Sequence, residues 1–126
     1  MEPNEALAEL LTLSSQVVDV AILGGSGFVL ASSGTPERGE QLARIASDLL
    51  AAAADVRPGG DVARIEVGLE GGSVFVVTEG GRSAVARTVP EPTAGLVVYD
   101  LRTALERLDE AAPAKATRKK KKDADA

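Results

Sequence analysis

Apolar positions recur along this chain with two periods, and the switches between them divide it into eight segments. After Pro3-Asn4-Glu5, residues Leu7, Leu10, Leu11 and Ser14 fall at helical spacing, which predicts a first helix to about Ser15 with Asn4 as its cap. VVDVAIL (17–23) is β-branched and strand-like, Gly24-Gly25-Ser26-Gly27 is a turn, and Phe28 to Ser32 returns as the paired strand of a hairpin.

The stretch TPERGEQLARIASDLLAAAA (35–54) predicts a long central helix. Thr35 suits its cap, Pro36 its first position, and Glu37 the positive end of its dipole. On a helical wheel, Leu42, Ala43, Ile45, Ala46, Leu49, Leu50 and Ala52 to Ala54 fill one apolar arc of roughly 200°, where facing a single core takes about 100°. Glu40, Gln41, Arg44, Ser47 and Asp48, with Ala51 among them, are left for water. So wide an arc predicts a subunit contact in addition to the helix's own sheet.

Three strands follow. ARIEVGLE alternates, with Ile65, Val67 and Leu69 on one face and Arg64, Glu66 and Gly68 on the other. Gly71-Gly72 turns into SVFVVTE, an apolar run suited to burial on both faces, and Gly80-Gly81 turns into RSAVARTV. Pro90-Glu91-Pro92 ends this meander, and a last helix over about 93–110 carries the narrower stripe Val97, Val98, Leu101, Ala104, Leu105 and Leu108. The pattern predicts an α+β fold in the order α-β-β-α-β-β-β-α, a five-stranded antiparallel sheet with helices on both faces.

Charge divides the chain in two. From Ala111 onward six cations stand against two acids, a net +4, while the preceding body has eight Arg against seventeen acids, a net −9. Every Lys lies in this tail. The expected organisation is a folded domain over 1–110 and a disordered basic tail over 111–126, whose cations include Arg118, Lys119, Lys120, Lys121 and Lys122. Such a tail suits nucleic acid, an anionic surface or an acidic protein, or simply keeps the domain soluble. It has no aromatic residue on which bases could stack.

Composition narrows the chemistry further. With no Cys and no His, disulfides and Cys/His metal centres are excluded, and no cofactor is expected. The body also lacks Lys, so general acid–base and nucleophilic catalysis are without their commonest agents, which argues against an enzyme. Glu66, Glu70 and Glu79 share no spacing that would set a catalytic or metal-binding pair. GGSG resembles a phosphate loop only in composition; a strand follows it where a helix N-terminus is needed, so it reads as a hairpin turn. Tyr99 lies opposite the apolar stripe of the last helix and reads either as an exposed contact or as packed on the first helix. No basic region precedes an apolar stretch at the N-terminus and no run approaches a membrane span, so a cytoplasmic protein is expected.

The element order resembles the Roadblock/dynein light chain family. The likeness is carried by VAILGGSGFVLASSG, EQLARIASDLLAAA, ARIEVGLEGGSVFVVTEGG and TAGLVVYDLRTALERL. One departure stands at the first hairpin turn, where Gly25-Ser26 replaces the family's usual acidic residue before glycine. The resemblance implies a dimer with central helices side by side and third strands joined into one sheet, which makes ARIEVGLE an edge strand. It places Ala43, Ala46, Leu50, Ala54, Arg64 and Glu66 at the dimer interface and leaves Arg44 and Asp48 for a partner. It also implies a non-catalytic scaffold or regulator of a small Ras-like GTPase, bacterial members included. The rival readings are an adaptor presenting paired basic tails, and a purely structural assembly subunit.

Overall fold

The structure, a computed structural model, describes residues 1–56, 59 and 62–108. Its elements are α1 (Pro3–Leu13), β1 (Val17–Leu23), β2 (Val29–Ser32), α2 (Pro36–Val56), β3 (Arg64–Leu69), β4 (Gly72–Glu79), β5 (Arg82–Thr88) and α3 (Ala94–Glu106). The five strands form one antiparallel sheet in the order β2-β1-β5-β4-β3, so the chain's last strand sits at the centre and β3 at an edge. The predicted element order holds throughout.

The boundaries follow local chemistry. Pro3 takes the first helical position of α1, for which its fixed φ is suited, so the cap moves to Glu2 and Asn4 lies inside the helix. Glu5 Oε1 accepts the Glu2 N–H at 3.0 Å, satisfying a donor the helix itself cannot. Thr35 does cap α2, its Oγ1 accepting the Arg38 N–H at 3.2 Å. Helix α2 runs two residues beyond Ala54, and α3 ends at Glu106, short of the expected 110. Phe28 lies outside β2, its ring folded over Gly24, where any Cβ would come within 2.7 Å of the ring.

Each sheet face has its own core. Under α1 and α3 lie Val20, Ile22, Phe75, Val77, Ala84 and Ala86; under α2 lie Ala21, Leu23, Val76 and Val85. The alternation of β4 between the two clusters explains its unbroken apolar sequence. Phe75 is wholly buried, and its truncation to Ala would cost about 3–5 kcal/mol. Helix α2 rests on β2, β1 and β5, and α3 on β4 and β5, while neither is closely packed on β3.

Candidate protein-binding face

Helix α2 sits deep on the sheet because its contact line is built from small residues. At Gly39 a Cβ would stand 2.5 Å from Ser32 Oγ, an approach that glycine alone permits. Farther along α2, Ala43 and Ala46 are 8% and 0% exposed. The sequence places both on a subunit contact; the structure uses them within the chain, against the Ala21, Leu23, Val76 and Val85 cluster. Part of the wide apolar arc is thus absorbed by close packing of short side chains. What it leaves accessible is half-buried Ile45, Leu49, Leu50 and Ala53 and exposed Ala52 and Ala54.

The polar side of α2 faces outward. Glu40, Gln41, Arg44, Ser47 and Asp48 are all exposed, so Arg44 and Asp48 stand where a partner could reach them. The first turn is anchored. Arg38 Nη1 donates to Gln41 Oε1 at 2.7 Å, and Arg38 Nε lies 3.7 Å from Asp19 Oδ2 on β1. Arg87 of β5 donates to the same Asp19 oxygen from Nε at 2.9 Å and Nη2 at 2.7 Å. Three elements therefore meet on one carboxylate. With both guanidinium groups nearly half exposed, these pairs contribute on the order of 1 kcal/mol or less each. The sequence reading missed this cluster because its members lie far apart; the lone acid inside VVDVAIL was its only signal.

Beside α2 the sheet ends in β3. Arg64 and Glu66 are exposed, Ile65 and Val67 half-buried, and Leu69 is 60% exposed. Ile65 and Val74 pack at the margin of the α2 cluster together with Leu49 and Leu50. Two clefts adjoin the helix near the glycine turns: one of about 540 Å³ bounded by Leu50, Val62 and the 78–83 hairpin, and one of about 200 Å³ bounded by Ala43, Ser47, Leu50 and the 23–27 turn. On the opposite face Tyr99 is 66% exposed and also lines a groove with Leu10 and Leu13 of α1, so both readings of this residue hold in part.

The remaining candidates are dispersed. Glu70 and Glu79 lie at opposite ends of β4, with Glu79 paired to Arg102 at 3.6 Å. Among the described residues no group of three or more Asp, Glu, His or Cys could hold a metal ion, and no helix is long and apolar enough to cross a membrane. Arg118 and Lys119 to Lys122 lie outside the described residues. GGSG forms the hairpin turn, closed by Gly24 N–H to Phe28 O and Gly27 N–H to Gly24 O, both 2.9 Å.

One antiparallel sheet, a single long helix on one face and the two terminal helices on the other define the α+β architecture that profilin-like and Roadblock domains share. The chain belongs to the Roadblock/LC7 domain family, whose model matches residues 3–85. Among solved structures, a Roadblock/LC7 domain from Streptomyces avermitilis is 22% identical with a TM-score of 0.73, covering 90% of this chain and 97% of that one. Myxococcus xanthus MglB is 16% identical with a TM-score of 0.72, covering 92% and 91%. A LokiProfilin2 in complex with rabbit actin is similar at 13% identity and a TM-score of 0.58, over 82% and 92%. Among curated proteins nothing matches the chain.

Proposed function

We propose that this chain is a non-catalytic, homodimeric module that binds and regulates a small Ras-like GTPase in the cytoplasm. The observation that carries the reading is the bare edge of β3, with its half-covered apolar row, next to a helix whose outer side carries exposed Glu40, Gln41, Arg44, Ser47 and Asp48. An edge of this kind is completed by another strand, and a second copy of the chain supplies one. MglB is known in a tetrameric arrangement, and an MglB from Thermus thermophilus is a gliding protein; similarity to both supports assembly from several copies. Membership of the family supports a small GTPase as the partner. In this reading 1–110 is the folded module, 111–126 its basic tail, and Arg44 and Asp48 contact the partner.

The test is binding of a small Ras-like GTPase from the same organism, loaded with GDP or with a non-hydrolysable GTP analogue. Arg44→Glu combined with Asp48→Arg reverses the charge pattern of the outer helix face while leaving the core untouched. Folding should be unchanged within about 1 kcal/mol, while affinity for one nucleotide state falls through lost complementarity. Equal affinity of both proteins moves the contact elsewhere; absence of binding in either state removes the GTPase.

A further inference from the structure

Among the described residues, the half-buried carboxylates are Glu9, Asp19, Glu79 and Asp100. Arg107 pairs with Glu9, Arg38 and Arg87 with Asp19, and Arg102 with Glu79. Asp100 has no such partner among the described residues. The reason is local. A cation on α3 would reach it from three or four residues away, and those positions hold Leu96, Val97, Thr103 and Ala104.

Asp100 lies in the groove between α1 and α3, a cleft of about 160 Å³ that it bounds with Leu10, Leu13, Tyr99 and the Glu9–Arg107 pair. The two helices run antiparallel: Glu9 meets Arg107 toward one end, and Gln16 Oε1 accepts the Thr93 N–H at 2.6 Å at the other. Leu13 is as exposed as Tyr99. An unneutralised carboxylate beside bare apolar side chains fits a segment that carries a cation among small apolar residues.

The chain continues into such a segment. After Leu108, beside Arg107 at the groove's end, the sequence runs DEAAPAKATRKKKKDADA (109–126). Asp100 lies eight residues back along the helix, about 12 Å. The seven residues from Leu108 to Lys115 span up to ~23 Å when extended, so Lys115 reaches Asp100 with slack for the chain to reverse. Ala112, Pro113 and Ala114 then cross the apolar floor, and Arg118 comes within reach of the Tyr99 ring, whose face attracts a guanidinium. Net charge favours the contact, the tail being +4 and the body −9.

We propose that residues 112–118 of the chain's own tail lie along the α1–α3 groove with Lys115 paired to Asp100. The inference stands apart from the GTPase and the dimer. Exposed, screened contacts of this kind scarcely alter the stability of the fold, but they cover a surface. An anionic partner that draws off the tail's cations bares Leu13, Tyr99 and Asp100, so groove and partner compete for one segment.

Tyr99 is the chain's single tyrosine and there is no tryptophan, so tyrosine fluorescence reports on this groove alone. The measurement is its quenching by acrylamide, a neutral probe, in the full-length protein and two full-length variants. One carries Gln in place of Lys115, Arg118 and Lys119 to Lys122; the other is Asp100→Asn. Wild type should be quenched roughly half as efficiently as either, since a tethered segment meets its site at an effective concentration of order 1 mM. Raising salt from about 0.01 M to about 1 M shortens the Debye length from about 30 Å to about 3 Å and should abolish the difference. Equal quenching of wild type and the Gln variant at low salt overturns the proposal. Protection lost in that variant but kept in Asp100→Asn overturns it too, by denying Asp100 its part. Should Asp100→Asn fold poorly by circular dichroism, the Gln variant decides, its substitutions all lying outside the described residues.

Discussion

Thr88 and Ser73 end the β4–β5 ladder with a buried side-chain bond: the Ser73 N–H donates to Thr88 Oγ1 at 3.1 Å, and both residues are 5% exposed or less. The Thr88 hydroxyl donates in turn to Val89 O at 2.9 Å. Gly72 makes this closure possible, since a Cβ there would sit 2.1 Å from Thr88 O. Thr88→Val keeps the shape and removes the acceptor, leaving a buried N–H without a partner. The expected loss is about 1–3 kcal/mol, measured as a lower urea midpoint at unchanged slope.

Ser14 provides the opposite case. Its Oγ is buried and is the one such side-chain atom among the described residues without a hydrogen-bond partner. Ser14→Ala should therefore leave stability unchanged or raise it by up to ~1 kcal/mol. A loss as large as that of Thr88→Val would show that the hydroxyl is bonded after all.

Gly39→Ala sets two effects against each other. Alanine favours the helix by about 1 kcal/mol over glycine, yet its Cβ would meet Ser32 Oγ at 2.5 Å and Ser32 Cβ at 2.9 Å. The clash should win, with a net loss of about 1–3 kcal/mol from overpacking. Adding Ser32→Gly should recover part of it, a non-additivity that a double-mutant cycle reads directly. A Gly39→Ala protein more stable than wild type would mean that α2 and β2 can separate without cost.

These contacts mark where the sequence stopped being legible. The meander was readable because paired glycines separate apolar runs of strand length, and α2 because Thr35-Pro36 is a strong start signal. The depth of α2 on the sheet was not. A helical wheel counts the angle an apolar arc covers, but how far short side chains let the backbone sink depends on Ser32, which lies on another element. Ala43 and Ala46 therefore read as surplus surface when they are core. The cap of α1 was misread for a local reason: Asn4 is a good cap by type, but Pro3 had already claimed the first helical position. The Asp19–Arg38–Arg87 cluster joins positions that only the central placement of β5 brings together.

Removal of residues 111–126 should barely alter the melting temperature. No Val, Leu, Ile, Met or aromatic residue follows Leu108, so little apolar area is lost. A shift within a degree or two in calorimetry is expected, in keeping with the small effects of surface changes. A fall of ~10 °C would mean that the tail carries part of the folded core.

The two margins of the sheet are unequal. β2 is four residues long and has α1 on one face and α2 on the other, whereas β3 is six residues long and has no helix closely packed on it. In the dimer proposed above, the joined sheet would present only β2 margins to solvent, short templates for further strand addition. Strand-by-strand growth beyond two copies would then be disfavoured by the same geometry that promotes the first association. In that dimer Gly39 and Ser32 would take on a second role. Prising α2 away from β2 would uncover the apolar face of that short margin, making it a better template for further strands.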